Sequence, residues 1–218
     1  MDVTALIALS MGAAWASGLN LYVACAVLGL MGATGSVDLP AGLDPLQNSW
    51  VIAAAGAMYV VEFFADKIPG VDSAWDTIHS FIRIPAGAVL AATVFQDMGT
   101  AEMLAAGVGG GVLTAATHTI KAGSRLLINT SPEPVTNWTA SVTEDVAVLG
   151  GLWLALSHPA VFVGGLVLFV LLAIWLIPKL WKAIPALFAR IAKLCGKETE
   201  TPPLDGVKVT FGRKSIEG

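Results

Sequence analysis

The sequence predicts an all-α fold, a polytopic membrane helical bundle of about six transmembrane helices. The chain of 218 residues is 56% hydrophobic and only 13% charged, about half the charged fraction of an ordinary soluble domain. Its apolar runs are also long enough to cross a bilayer, which takes roughly 20 apolar residues per helix. Little sequence remains for a soluble domain, so we expect one transmembrane domain over residues 1–178 and a short C-terminal part.

Six apolar segments account for the predicted spans. The turn residues between the first two segments, over 33–48, predict a plain loop. Ser157, His158 and Pro159 predict a tight hairpin between the last two segments, because a single helix over both would be too long for a bilayer. The segments are residues 4–32, 49–67, 75–96, 101–128, 138–157 and 160–178.

The distribution of basic residues predicts the orientation of the spans. The loops 33–48, 97–102 and 157–159 contain acidic residues but no Lys or Arg, and all 12 basic residues lie on the other side of the predicted spans. Basic residues close to span ends are retained in the cytoplasm. We therefore expect an inner-membrane, multi-pass protein with both its N-terminus and its C-terminus in the cytoplasm.

Residues 179–196 predict an amphipathic surface helix. Apolar residues recur there at helical spacing, with Lys179, Lys182, Arg190 and Lys193 on other faces. Such a helix lies on the inner leaflet, where anionic lipids attract basic side chains. We expect it to act as an anchor rather than as a regulated lipid sensor. The polar residues 197–218 predict a flexible cytoplasmic tail.

A shift of 63 residues aligns a second helical hairpin on the first. Pro69 then falls on Pro132, Trp75 on Trp138 and Gly87 on Gly150. The matches predict two repeated hairpins, over residues 50–95 and 113–158, that enter the membrane from the same side. Three matches are few, and chance similarity remains the alternative. Transporters are often built from repeats with the solute site at the repeat interface.

Polar residues recur at helical spacing in the four central predicted helices, toward their cytoplasmic ends. An ionised side chain that faces lipid at the bilayer centre costs about 2.5–3.5 kcal/mol, so we expect these stripes to turn inward. They would pair with one another or line a polar cavity. The candidate binding residues are Glu62, Asp66, Asp72, Asp76, His79, Arg83, His118, Lys121, Arg125, Asn137, Glu144 and Asp145.

A structural explanation competes with a functional one at several of these positions. Ser73 with Asp76, and Ser141 with Glu144, have the spacing of a capping box at a helix start. Asp66 and Lys67 could be solvated at a span end. Arg125 could be an anchor that extends to the membrane interface.

Several functional classes are disfavoured. The net charge of −4 argues against a nucleic-acid partner, and the two cysteines form neither a disulfide framework nor a zinc motif. The histidines and carboxylates include suitable ligand types for a transition metal, but no two lie at a local ligand spacing. The metal therefore remains unknown, and we expect no cofactor and no nucleophilic catalysis.

The excess of acids over bases in the stripes favours a cation over an anion as ligand. We expect a membrane transporter or channel for a small cation or a proton-coupled solute, reached through a cytoplasm-facing polar cavity. Glu62 and Asp66 would bind the ion or proton, and His79 and His118 would relay protons. A membrane enzyme on a lipid phosphate or similar head group is one alternative. A non-catalytic membrane assembly subunit is another, and a homo-oligomer stays open.

Two segments carry a resemblance to a known family. Residues 69–76 (PGVDSAWD) and 129–134 (NTSPEP) are similar to those of a bacterial integral-membrane family of unknown function. The resemblance covers roughly residues 5–180. It implies a helical membrane protein and assigns no activity and no functional residue.

Overall fold

The computed structural model describes residues 1–68, 70–129 and 134–194, and all regular secondary structure in these residues is helical. The chain divides into two units, Met1–Ile184 and Pro185–Gly218. A short 3₁₀ helix, Ala41–Gln47, follows the first α-helix. The six α-helices are α1 Val3–Ala33, α2 Ser49–Ala65, α3 Val71–Thr93, α4 Thr100–Ile128, α5 Pro134–Ser157 and α6 Pro159–Leu194.

The first five α-helices coincide with predicted segments to within a few residues. Four helices, α1, α4, α5 and α6, are long and apolar enough to cross a membrane, and the 3₁₀ helix with α2 forms a bent pair that would be a fifth span. Helix α3 contains Asp72, Asp76 and Arg83, which lower its mean hydropathy. A membrane protein is therefore supported, whereas the count of six spans stays a prediction.

The polarity of the molecule is the reverse of that of a soluble protein. The largest fully buried side chains are Arg83, Arg125 and Lys121, whereas Trp50 and Phe81 are more than 80% exposed. Soluble proteins rarely bury Lys or Arg completely, and then only as paired residues. An apolar exterior around a charged interior is the arrangement expected in lipid, where ionisable residues face the bundle interior.

Helix α1 lies at the centre of the bundle and contacts α2, α3, α4 and α5. The helix pair with the most extensive contact is α3 and α4. The helices within each predicted hairpin, α2 with α3 and α4 with α5, contact each other much less. Small residues explain this preference, because a Cβ on Gly110 would collide with Ala91 and one on Gly87 would collide with Thr114. The predicted hairpins are therefore neighbours in sequence rather than packing units.

The segment predicted as a plain loop contains the 3₁₀ helix, whose axis makes an angle of 68° with that of α2. Leu43 and Leu46 of this helix are buried in the hydrophobic core beside α1. Gly29 lets the backbone at Leu46 approach α1, since a Cβ there would overlap the Leu46 carbonyl. The prediction of a plain loop missed this short buried helix, because it rested on the turn residues alone.

The structure differs from the prediction at the C-terminal end of the last predicted span. Helix α6 continues past Pro178 to Leu194 instead of ending there, and residues 195–218 lie outside the described residues. Leu180 is buried, and its Cδ1 lies 3.1 Å from where a Cβ on Gly123 would be. This residue therefore packs against α4. A surface position for the rest of the predicted amphipathic segment stays a prediction.

The predicted repeat is consistent with the helix ends but is not established. Helices α2 and α4 end 63 residues apart, and so do the starts of α3 and α5. The packing differs, however, because Gly87 is tightly packed whereas a Cβ on Gly150 would meet nothing within 4 Å. Pro69 and Pro132 lie outside the described residues.

Candidate functional site

Seven charged side chains from α2 to α5 and the turn after α2 form one connected ion-pair network. The polar stripes lie at those ends of the four helices that meet on one side of the bundle. Residues at helical spacing share one face of each helix, so the charged side chains of the stripes come together. The cations are Arg83, Lys121 and Arg125, and the carboxylates are Glu62, Asp66, Asp76 and Glu144.

Arg83 of α3 links two carboxylates from different helices. Its Nη2 pairs with Oε1 of Glu62 in α2, and its Nη1 lies 3.0 Å from Oδ1 of Asp76, two turns earlier on the same face of α3. The side chains of Arg83 and Glu62 are fully buried, and that of Asp76 is nearly so. Removal of one partner from such a pair leaves an uncompensated buried charge.

Lys121 of α4 is the hub of the network. Its Nζ lies 3.2 Å from Glu62 Oε1 and 3.2 Å from Asp66 Oδ2. Glu144 Oε2 is 3.4 Å from the same nitrogen, and Asp76 Oδ1 is 3.7 Å away. The ammonium group therefore contacts all four carboxylates.

Arg125, one turn further along α4, closes the network toward α5. Its Nη2 donates to Glu144 Oε2 at 2.8 Å and its Nε donates to Glu144 Oε1 at 3.1 Å, a bidentate pair. Its Nη1 donates to the backbone carbonyls of Asp66 and Asn137, each at 3.1 Å. The guanidinium thus ties the end of α2 to the beginning of α5.

A break in α1 adds a backbone oxygen to the network. Asn20 has non-helical dihedral angles, φ −150° and ψ 96°. Its side-chain Oδ1 accepts from the Val23 backbone N–H, which would bond the Leu19 carbonyl in a regular helix. The freed Leu19 oxygen instead accepts from Lys121 Nζ at 2.9 Å and from Arg83 Nη1 at 3.4 Å. The break therefore supplies an acceptor for two buried cations.

Asp145 lies beside this break rather than in the network. Its Oδ1 accepts from the Asn20 side-chain amide and its Oδ2 accepts from the Tyr59 hydroxyl, both at 3.1 Å. Asn20 therefore joins Asp145 to the backbone of α1. Tyr59 lies three residues before Glu62, on the same face of α2.

The two predicted relay histidines have different surroundings. His118 Nδ1 lies 3.4 Å from Arg83 Nη1, which only donates, so Nδ1 accepts. The Nε2 of His118 then carries the proton, 2.6 Å from Ser80 Oγ and 3.1 Å from the Asp76 carbonyl oxygen. His79 stacks on Trp75 at 4.0 Å and its Nδ1 donates to the Trp75 carbonyl. His118 touches the network, whereas the described contacts of His79 are with the Tyr22 and Trp75 rings and with the Trp75 carbonyl.

The remaining predicted residues form a polar layer at the helix ends. Asp72 accepts from the Gly70 and Ser73 backbone N–H groups and from the Asn129 amide at 2.8 Å. Gly70 has φ +87°, a conformation that favours glycine, and this turn positions its N–H toward Asp72. Asn137 donates to Asn129 Oδ1 at 2.8 Å. This layer connects the starts of α3 and α5 to the end of α4.

The structural explanations weighed for individual residues are wrong. Ser73 lies two residues after the start of α3 and Ser141 lies seven residues after the start of α5, so neither serine is an N-cap, and Asp76 and Glu144 do not cap a helix start. They form ion pairs instead. Asp66, Lys67 and Arg125 are buried rather than solvated or extended to an interface, and Lys67 Nζ lies 2.9 Å from the centre of the Phe63 ring.

The network carries more negative than positive charge. Four carboxylates face three cations, which leaves one formal negative charge in excess. Glu62 Oε2, Asp66 Oδ1 and Asp76 Oδ2 are buried and have no hydrogen-bond partner among the described residues. Buried polar groups in native proteins are almost always hydrogen-bonded. The three bare oxygens therefore mark a place where a proton or a cation would be stabilised.

A divalent or transition-metal ion fits these side chains poorly. In the described part of the chain, no three or more His, Cys, Asp or Glu residues are grouped so as to hold a metal ion. The cations occupy the centre between the carboxylates. Four grooves lined by described residues are apolar, the largest about 490 Å³ between α1, α2 and α3.

Sequence reasoning missed the contribution of α1. Asn20 was not selected because it is a single amide in an apolar segment, and the Leu19 carbonyl has no sequence signature. The available signal was the isolation of Asn20, since an amide in the middle of a predicted span needs a partner. Ser80 comes directly after His79 in α3 and so lies one position off the polar stripe. Its contact with His118 was therefore not predicted either.

These features define a helical membrane protein with a buried ion-pair network around a broken central helix. The chain belongs to the family described as Domain of unknown function (DUF4126), whose model matches residues 7–179. The expectation of a family without an assigned activity is thereby confirmed. Comparison with curated proteins and with solved structures gives no match.

Proposed function

We propose that the protein is a membrane transporter for a small cation or a proton-coupled solute, with the ion-pair network as its ion-binding centre. The observation that carries this proposal is the excess negative charge buried around the break in α1. Ionisable residues inside a membrane are costly, and they usually mark ion or proton pathways. Broken helices form the binding sites of many secondary transporters.

The proposed roles follow from the contacts. Glu62 and Asp66 bind the ion or proton, because each presents one oxygen to Lys121 and leaves the other bare. His118 relays protons through the Ser80 hydroxyl, which contacts its Nε2. Arg83 and Arg125 balance the carboxylate charges. His79 would join a relay only if the Trp75 side chain changed rotamer, since the Trp75 ring stacks on the His79 ring.

We place the access route at Glu144, on the cytoplasmic side of an inner-membrane protein with both termini inside. Its side chain is 16% exposed, whereas the other six charged side chains of the network are 0–4% exposed. A cavity would open when α5 moves away from Arg125. The paired arrangement corresponds in this proposal to a closed conformation.

The alternatives receive less support. An enzyme that acts on a lipid phosphate needs free cations to hold the anion, but Arg83, Lys121 and Arg125 are all paired with carboxylates. An assembly subunit remains the second candidate, because a paired network could serve only to hold helices together. Its mark would be co-purification with a partner and no ion flux.

Flux measurements test the proposal. Purified protein in liposomes that contain a pH-sensitive dye should dissipate an imposed proton or cation gradient. Glu62→Gln should reduce this flux about tenfold or more, equivalent to about 1.4 kcal/mol. Glu102→Gln is the matched control, because Glu102 is an exposed acid in the first turn of α4. Absence of flux for protons and for every cation tested would reject the transport function.

A further inference from the structure

The surroundings of Lys121 Nζ resemble the coordination shell of a cation more than a simple ion pair. Five oxygens from five different parts of the chain converge on this nitrogen, at 2.9–3.7 Å. We call them the oxygen cage. Its members are the Leu19 carbonyl oxygen, Glu62 Oε1, Asp66 Oδ2, Asp76 Oδ1 and Glu144 Oε2.

An ammonium group carries only three N–H donors, yet five oxygens lie around the Lys121 nitrogen. The fit is therefore set by charge and size rather than by one hydrogen bond per oxygen. Ca²⁺ requires oxygens at about 2.3–2.6 Å and Mg²⁺ at about 2.0–2.1 Å. The distances from Nζ are all longer, so the cage suits a larger monovalent cation.

A second observation points to a ligand at the same place. Glu62, Asp66 and Asp76 each contribute one oxygen to the cage, and the other oxygen of each is buried without a partner among the described residues. Their side chains are at most 4% exposed. The cage thus keeps unused acceptors even when Lys121 is present.

The break in α1 supplies the backbone part of the cage. Asn20 takes the N–H of Val23 and thereby leaves the Leu19 carbonyl free to point at the ammonium group. Unwound backbone carbonyls coordinate monovalent cations in transporters with discontinuous helices. The break therefore adds an uncharged backbone oxygen to a site whose other four oxygens belong to carboxylates.

We propose that the oxygen cage is a binding site for a monovalent cation of ammonium size, which Lys121 fills in this conformation with its own tethered ammonium group. The ligand would be NH₄⁺, K⁺ or the primary ammonium group of a solute. An entering cation displaces the Lys121 ammonium, and the displaced side chain returns when the cation leaves. This inference rests on the proposed transport function and names its ligand class.

Replacement of the tethered group tests the cage by chemical substitution. Lys121→Ala, purified in detergent, should regain stability when ammonium or potassium chloride is added. At a concentration of ten times Kd, the melting temperature should rise by about 3–5 °C. Methylammonium measures tolerance for a substituted amine and distinguishes a free ion from a solute amine. Sodium and choline, at equal ionic strength, should give a markedly smaller rise.

Lys67→Ala is the matched control, because Lys67 is a second buried lysine outside the cage. Its Nζ donates to the Phe63 carbonyl at 2.9 Å and lies over the Phe63 ring. This variant should show no preference for ammonium over choline. An equal response of both variants, or an equal response of Lys121→Ala to ammonium, sodium and choline, would overturn the proposal.

A second variant keeps the test decisive if Lys121→Ala does not fold. Lys121→Ala with Glu144→Gln removes one charge of each sign and keeps the excess charge of the network unchanged. It should be recovered as a monodisperse protein in ammonium chloride and show the same order of cations. Failure to recover either variant in ammonium would also refute the cage. Because these assays measure binding and not flux, they can fail while the liposome assay succeeds, and the reverse.

Discussion

Replacement of Arg83 by methionine should be among the most destabilising single changes in the chain. Methionine keeps the length of the side chain but removes the cation between Glu62 and Asp76. Lys121 then remains 3.2 Å from Glu62 but 3.7 Å from Asp76. Breaking a buried ion pair from one side costs about 3–5 kcal/mol. For a chain of this size that corresponds to a melting temperature lower by about 6–20 °C.

The assay is reversible unfolding in mixed detergent micelles, with the free energy of unfolding obtained from an SDS titration followed by helical circular dichroism. Lys179→Met is the matched control, since Lys179 is exposed and contacts only the Trp175 ring among the described contacts. It should cost about 0.5–1 kcal/mol. The double variant Arg83→Met with Glu62→Gln should recover part of the loss. A cost for Arg83→Met no larger than that of the control would refute the buried network.

Two further predictions concern backbone and packing. Asn20→Leu should lower the free energy of unfolding by about 2–4 kcal/mol, because it removes the cap on the Val23 N–H and a hydrogen bond to Asp145. Unchanged stability in the same SDS titration would show that the break in α1 does not depend on the Asn20 amide. Gly87→Ala should destabilise by about 1–3 kcal/mol, since the new Cβ overlaps Thr114. Gly150→Ala should be neutral or stabilise by about 0.5–1 kcal/mol at its open helical position. The same sign for the two glycines would contradict the α3–α4 packing.

The helices and the convergence of the charges were predictable for simple physical reasons. Apolar runs long enough for a bilayer define α1 and α4 almost to the residue. Residues spaced by three, four and seven positions share one helical face, so the Glu62 and Lys121 stripes had to turn inward if they were not to face lipid. Four of the predicted carboxylates and all three predicted cations form the network.

The sequence did not reveal what lies between those faces. Helical periodicity specifies a direction for each side chain but neither the depth of a helix nor its neighbour, so α1 was not expected at the centre. The Leu19 carbonyl became available only because Asn20 competes for the Val23 N–H. His79 lies on the predicted face, but its ring stacks on Trp75 one turn earlier and makes aromatic contacts instead. Such local competition depends on rotamers, which spacing does not determine.

The break in α1 also bears on how the chain enters the membrane during synthesis. The groups that hold the break open, Lys121 and Asp145, follow it by more than one hundred residues. A newly inserted α1 therefore lacks them, and its 31 residues would form an unbroken helix in which the Leu19 carbonyl bonds to the Val23 N–H. The kink would then arise late, when α4 and α5 have left the ribosome and packed against α1. Truncation after α2, which also removes the Arg83 donor to the Leu19 carbonyl, should accordingly leave a straight first helix.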